Sequence, residues 1–404
     1  MDRQTKKQKC QSEQAHPRYG FNCLPQEIVL DIVSRLPITS LVQFKFACKS
    51  FYNLLHDSEL VNLHLSRVVK NDPSIIFHAD YPLRNQLYFL EFSDHGREEE
   101  VVRKISTPFA NSVPEFKVVG SCHGLLCICH SLFSNELYVC NPFTRNYKEL
   151  PKSVEFEVQK VVLGFGFHPI TKEYKVIKII NYVNMYNLVS WRYRRYRPPY
   201  FGKSDVQVFS LGSNRWRSVG EVVYRFDPSS QGVMLNGKMH WLTQFGKYNG
   251  RRDRLIVSFD LAEEVFAEVP KIDYGVNPRI KKFHLAVVGD CLAVALTLPH
   301  QRGGGIEIWV MKEYNVKESW VKEYIIGAYT PTPNSVTQHL QPLAKVLCLL
   351  KNGEILLEYK GGNLVSYDPK NGIFRSLKFQ GIPNLFQTCA HTGCLNWIDI
   401  PPAN

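Results

Sequence analysis

The chain has 404 residues, too many for one small core and enough for a small module beside a large repeat domain. Hydrophobic residues at 44% and charged residues at 21% argue against wholesale disorder, and 12% aromatics favour a β-rich body over a bundle of Leu/Ala helices. Lysine and arginine outnumber acids 49 to 37, a net charge of +12 that suits an acidic partner without naming one.

Residues 1–20 read as a disordered basic tail in which Lys6, Lys7 and Lys9 form a short cluster, a weak nuclear-import patch or simply a solvated one. The opening MDRQTKKQKC has no apolar signal core behind it, so the expectation is a protein that is not exported. Eleven cysteines, several inside apolar runs such as GLLCIC, then read as reduced and mostly buried thiols. Cys122, Cys127 and Cys129, with His123 and His130, lack the spacing of a zinc site, so no metal or cofactor is expected. The longest apolar run, Leu285–Leu298, is broken by Gly289 and Asp290, which argues against a membrane span.

From Leu24 the apolar pattern is helical. Pro25 suits a first helical turn, where its missing N–H costs nothing. Ile28, Ile32 and Leu36 recur every four residues, flanked by Val29 and Val33. Pro37 ends that helix, and Thr39 or Ser40 is expected to cap the next. There Leu41, Phe44, Cys48, Phe51 and Leu55 fall at steps of three, four, three and four. Two or three short helices of this kind have more apolar surface than they hide by themselves, with no disulfide or metal to help. They form either a lid on the larger domain or a docking module completed by another protein's helices.

Segments SIIF, QLYFLEF and EEVVRKI, between Ser74 and Ile105, read as strands of a first blade. Beyond residue 110 a unit recurs: a Gly-led apolar strand, a turn, a second strand, another turn, and a third strand bearing an aromatic. The anchors are Tyr147, Trp216, Phe266, Trp320 and Phe374, and after a first gap of 69 residues they are spaced by 50, 54 and 54. That period predicts a kelch-like β-propeller, with a β-sandwich as the weaker alternative, and six blades in the ring. Asn141-Pro142, Asp368-Pro369 and Asn371-Gly372 supply turns between strands.

Residues 24–61 carry Leu24-Pro25, Glu27, Ser34-Arg35-Leu36-Pro37, Ser40-Leu41, Phe44, Cys48-Lys49-Ser50 and Leu54-Leu55. This set resembles the F-box motif, with Phe51 where tryptophan is common, Gln43 where arginine is frequent and Phe46-Ala47 where Cys-Val is common. The remainder, through Gly120-Ser121-Cys122-His123-Gly124-Leu125-Leu126, Asn141-Pro142 with Thr144, and Gly164-Phe165-Gly166-Phe167 leading to Tyr174-Lys175-Val176, resembles the F-box-associated domain of the large plant-type F-box family. The resemblance implies an α+β multidomain protein: a basic tail (1–20), a helical F-box (21–67), a linker with first-blade strands (68–110), an all-β kelch-like propeller domain (111–390) and a C-terminal tail (391–404). It further implies a non-catalytic substrate receptor of a Skp–cullin–F-box ubiquitin ligase, in the cytoplasm or nucleus. By the match, Leu24, Pro25, Ile28, Ile32, Leu36, Pro37, Leu41, Phe44, Cys48 and Phe51 would dock a Skp-type adaptor, with Leu36–Pro37 and Phe51 as anchors.

The segment Asn181–Ser204 has no acid, five basic residues and seven aromatics. Trp191, Arg192, Tyr193, Arg195 and Arg197 are its candidate substrate-binding residues, suited to an acidic or phosphorylated protein. Arg251, Arg252 and Arg254 would share that surface if both loops open on one face. Arginines beside aromatics also suit nucleic acid, but no RNA-binding signature is present. A stand-alone propeller scaffold, or a nucleic-acid- or acidic-ligand-binding protein, is the alternative function. Against an enzyme, His168, His240, His284 and His300 sit singly, and Gly303-Gly304-Gly305 lacks the Lys-Ser/Thr of a phosphate loop.

Overall fold

A computed structural model describes residues 24–79, 86–92, 102–107, 115–130, 135–153, 159–182, 203–244, 246–248, 250–272, 283–298, 305–329, 344–359, 363–377, 379 and 386–396. The basic tail and residues 191–197 lie outside them.

Among the described residues, four short helices come first: α1 (Gln26–Val33), α2 (Ile38–Phe44), α3 (Lys49–Leu54) and α4 (Ser58–Val68). Pro25 and Pro37 hold the N-cap positions of α1 and α2 with extended ψ near 147° and 145°. The Pro37 carbonyl accepts the first amides of α2, from Ser40 and Leu41, both at 3.0 Å. Thr39 and Ser40, expected as caps, therefore lie inside the helix. Leu41 to Leu55 is not one continuous stripe either, because a turn over 45–47 separates α2 from α3. Asp57 caps α4, its carboxylate accepting the Glu59 amide at 2.8 Å.

Among the described residues, six four-stranded antiparallel sheets follow. Blade 1 is Phe116–Cys122, Leu125–His130, Leu137–Cys140 and Tyr147–Glu149. Blade 2 is Gln159–His168, Glu173–Tyr182, Ser204–Ser210 and Arg215–Val222. Blade 3 is Val233–Leu235, Lys238–Leu242, Ile256–Asp260 and Phe266–Val269, with a small hairpin (Gly246–Tyr248, Arg251–Asp253) between its second and third strands. Blade 4 is Phe283–Val288, Cys291–Thr297, Ile306–Met311 and Trp320–Ile326. Blade 5 is Ala344–Leu349, Ile355–Tyr359, Asn363–Asp368 and Ile373–Leu377.

Blade 6 closes the ring. Its inner strand, Phe386–His391, pairs antiparallel with Ser74–Ala79, and Gln86–Leu90 and Arg103–Ile105 complete it. The six-bladed propeller expected from the repeat is thus present, and the segments between Ser74 and Ile105 are strands of its closing blade. Tyr147, Trp216, Phe266, Trp320 and Phe374 each stand first or second in an outermost strand, which is why their spacing reports the blade period.

The turn before each of those outer strands repeats one geometry. Arg145, Asn214, Glu264, Asn315 and Gly372 have φ between 52° and 69°. Four of them donate their amides to the carbonyl four residues back, at 2.8 to 3.0 Å. Asn141, Asp260 and Asp368 open their turns by accepting a backbone amide two residues on, at 2.9 Å each.

The boundary at 391 needs correcting. His391 is the last residue of the ring-closing strand, and Cys394 and Leu395 are 0% and 1% exposed. Residues 391–396 are wedged between helices and ring rather than forming a free tail. Apolar burial drives this: Leu395 enters the same cluster as Leu30, Val33, Ile38, Leu41, Leu55, Leu60 and Val61.

Candidate functional site

The α1 helix divides its apolar residues between two faces. Leu30 and Val33 are buried in the helical core, whereas Leu24, Ile28 and Ile32 are 43%, 48% and 39% exposed. Pro25 and Pro37 are also exposed, so an apolar strip runs the length of the helix on its solvent side. Isolated exposed apolar residues are ordinary, but a strip on a helix whose other face is already packed marks a surface awaiting a partner. At α3, the N-cap residue Cys48 is exposed and Phe51 is half-buried, with the Phe51 ring stacked on Phe44 at 5.2 Å. Phe46 (80% exposed) and Tyr52 extend the apolar exposure.

Two expected docking residues sit differently. Leu41 is 0% exposed and belongs wholly to the helical core. Leu36 is half-buried against that core, and its carbonyl faces Nε2 of His64 at 3.2 Å. The i, i+4 apolar pattern does not distinguish the two faces of so short a helix.

Ion pairing also fixes α1. Asp31 accepts from Arg35 Nε and Nη2 at 3.2 and 3.1 Å, and from Arg67 of α4, which also donates to the Asp31 carbonyl at 2.6 Å and to Ser34 Oγ. Hydrogen bonds from Arg35, then Arg67, hold the Asp31 carboxyl below the usual carboxylate range. The Asp31–Arg35 spacing was legible as a helical pair. Its partner Arg67, 36 residues away, was not.

Strand polarity places a second surface at the other end of the ring. The helices lead into Ser74, which pairs with His391 at the end where each blade's first strand turns into its second. Second strands run away from that end. The strand ends Tyr182 and Ser204 in blade 2, and Leu242 and Ile256 in blade 3, therefore lie at the end opposite the helices, on adjacent blades. Trp191, Arg192, Tyr193, Arg195 and Arg197 fall outside the described residues. In blade 3, Arg254 pairs with Asp227 at 3.1 Å and Lys271 with Asp253, so two nearby acids are already engaged.

Three of the histidines weighed for catalysis have structural partners, and His300 lies outside the described residues. His240 faces the Val233 carbonyl through Nδ1 and Tyr314 Oη through Nε2 at 2.8 Å. His168 Nδ1 accepts the Thr171 amide, and His284 Nε2 accepts the Val346 amide across blades 4 and 5. Cys127, Cys129 and Cys140 are free and buried, and burial pushes the Cys140 thiol up to about 12.

Comparison with known proteins gives this arrangement relatives. Residues 21–63 match the model of the F-box domain, and residues 74–398 that of the F-box associated beta propeller domain. The F-box protein At3g07870 of Arabidopsis thaliana is 41% identical over 401 residues, covering 95% of this chain and 94% of that protein. The F-box protein CPR1 of the same plant is 26% identical, covering 90% and 86%. An Arabidopsis F-box/kelch-repeat protein, At3g23880, is 25% identical, covering 87% and 89%.

Proposed function

Because the chain belongs to the family of F-box proteins that carry an F-box associated β-propeller domain, we propose that it is the substrate-recognition subunit of a Skp–cullin–F-box ubiquitin ligase. The observation that carries this reading is the exposed strip Leu24, Pro25, Ile28 and Ile32 on a helix already packed on its other side. A Skp-type adaptor would cover that strip together with Pro37, Cys48 and Phe51. Interfaces of this class bury about 1,600 Å² in total and draw most of their energy from a few central apolar anchors. Ile28 and Ile32 suit that part better than Leu36, half of which already serves the core.

The protein substrate would bind at the far end of the ring, where the strand ends Tyr182 and Ser204 lie; the sequence between them carries Arg192, Arg195, Arg197, Trp191 and Tyr193, residue types that suit an acidic or phosphorylated segment. The docking helices and the strand ends that flank the recognition segment would then stand at opposite ends of one ring. The receptor's work is positional: it raises the effective concentration of substrate lysines near a charged ubiquitin carrier and breaks no bond itself. The cytoplasm or nucleus, where cullin ligases work, is the proposed location.

Titration of the full chain with a purified Skp-type adaptor tests the first half. Saturable binding of micromolar or tighter affinity is expected. A folded chain that releases no binding heat and does not co-elute with the adaptor would overturn the assignment.

A further inference from the structure

The segment after the ring-closing strand is built into both domains at once. Leu395, 1% exposed, fills the helical core beside Leu30, Val33, Ile38, Leu41, Leu55, Leu60 and Val61. Among the described residues, that core otherwise comes entirely from residues 24–68, apart from the flanking ring of Phe143. The backbone on either side of Leu395 is held by the propeller. Asn141 Nδ2 donates to the carbonyls of Cys394 (2.9 Å) and Asn396 (2.8 Å). Asn396 Nδ2 donates to the His123 carbonyl and to Tyr174 Oη, both at 2.7 Å, which ties blades 1 and 2 to the same point. Ser121 Oγ meets His391 Nδ1 at 2.9 Å.

The approach is close enough to restrict residue choice. A Cβ on Gly393 would lie 2.9 Å from both Ile38 Cγ2 and Phe143 Cε2, between helix α2 and blade 1. A Cβ on Gly124, where φ is +78°, would strike Cys394 Sγ at 2.1 Å. Ser121, His123, Gly124, Asn141 and Tyr174, each part of the sequence pattern of the β-domain, therefore converge on one six-residue stretch of chain.

We propose that residues 391–396 couple closure of the propeller to completion of the docking helices. His391 ends the strand that zips the ring shut and residues 392–396 directly follow it, so they reach the helical core only once Phe386–His391 has paired with Ser74–Ala79. With the ring open, the helical core lacks Leu395, and a unit this small has little apolar area to spare. A chain with an incomplete propeller then presents a poorly formed adaptor surface, and one with a closed propeller presents it in a fixed orientation. Leu395 and Asn141 are positioning residues here: Leu395 is fully buried, and Asn141 is 0% exposed in blade 1. The consequence for adaptor binding rests on the ligase reading above; the coupling of ring to helices does not.

The test uses the full chain with two substitutions. Leu395→Ala removes the core contribution. Asn141→Asp keeps the oxygen that accepts the Phe143 and Thr144 amides but turns a second oxygen on the carbonyls that Nδ2 now serves. Amide hydrogen exchange is read separately for α1–α2 and for the blade strands, and affinity is read with a purified Skp-type adaptor. Expected are faster exchange in α1–α2 with blades 2–5 unchanged, and a loss of adaptor affinity of roughly tenfold or more for Leu395→Ala. Ile28→Asp should lose the adaptor with α1–α2 exchange unchanged. Wild-type exchange rates in α1–α2 for both coupling variants would overturn the proposal. If the wild type fails to bind the adaptor, the ligase reading falls, while the exchange arm still decides the coupling.

Discussion

Trp216 in blade 2 donates its indole N–H to the carbonyl of Pro151, 2.6 Å away where the chain leaves blade 1. Trp320 repeats the bond two blades later, to Pro270 at 2.8 Å. Each indole stands first or second in an outer strand and fastens it to the exit of the preceding blade, so the aromatic that marks the repeat also joins neighbours. Trp216→Phe keeps the ring packing against Phe209 but loses the donor. It should cost about 1 kcal/mol, read as a lower urea midpoint at unchanged slope.

A stronger contact between blades is ionic. Glu264, in the outer turn of blade 3, accepts from Lys175 of blade 2 at 2.8 Å and pairs with Arg217, and its side chain is only 6% exposed. Lys175 is itself 4% exposed, and burial pulls its pKa down despite the acids around it. Glu264→Gln would leave that ammonium without its buried counter-ion and should destabilise the protein by about 3 kcal/mol. An unchanged denaturation midpoint would show that Glu173, 3.6 Å from Lys175, compensates fully.

Much of this was legible and some was not, for physical reasons. Period-2 strands, turn residues such as Asn141 and Asp368, and outer-strand aromatics are local features, so the six-bladed ring could be read from them. The face on which Leu41 lies could not, because seven helical residues support more than one burial pattern. The most consequential gap was Asn141, readable as a turn opener through its accepted amides. Its other role, holding the carbonyls of Cys394 and Asn396, spans more than 250 residues of sequence and leaves no periodic trace. Leu395 sits in the short stretch HTGCLNWIDI, which has no helical or strand period to mark it as part of a helical core at the other end of the chain.

Acid should loosen the ring through its buried histidines. Burial lowers His240 from 6.5 to about 4 and His391 to about 3. Between these values and 6.5 the unfolded chain binds more protons than the folded one, so stability rises with pH. This contribution is complete above pH 6.5 and is lost as the pH falls through 4 and then 3. His240→Gln, which retains an acceptor for Tyr314, should flatten the decline in urea midpoint between pH 6.5 and 4.5. An identical slope in wild type and variant would remove His240 from the account.

The most direct test of the receptor assignment compares adaptor binding by the wild type, Ile28→Asp and Val223→Asp, each verified as folded by its denaturation midpoint. Ile28 is 48% exposed on the helical strip; Val223, 70% exposed, lies at the opposite end of the ring. A charge buried in an apolar interface without a partner is costly. The wild type and Val223→Asp should bind a Skp-type adaptor alike, and Ile28→Asp should lose at least a hundredfold in affinity, roughly 3 kcal/mol. Equal binding by all three, or none by a folded wild type, would contradict the assignment of residues 24–68 as the docking module.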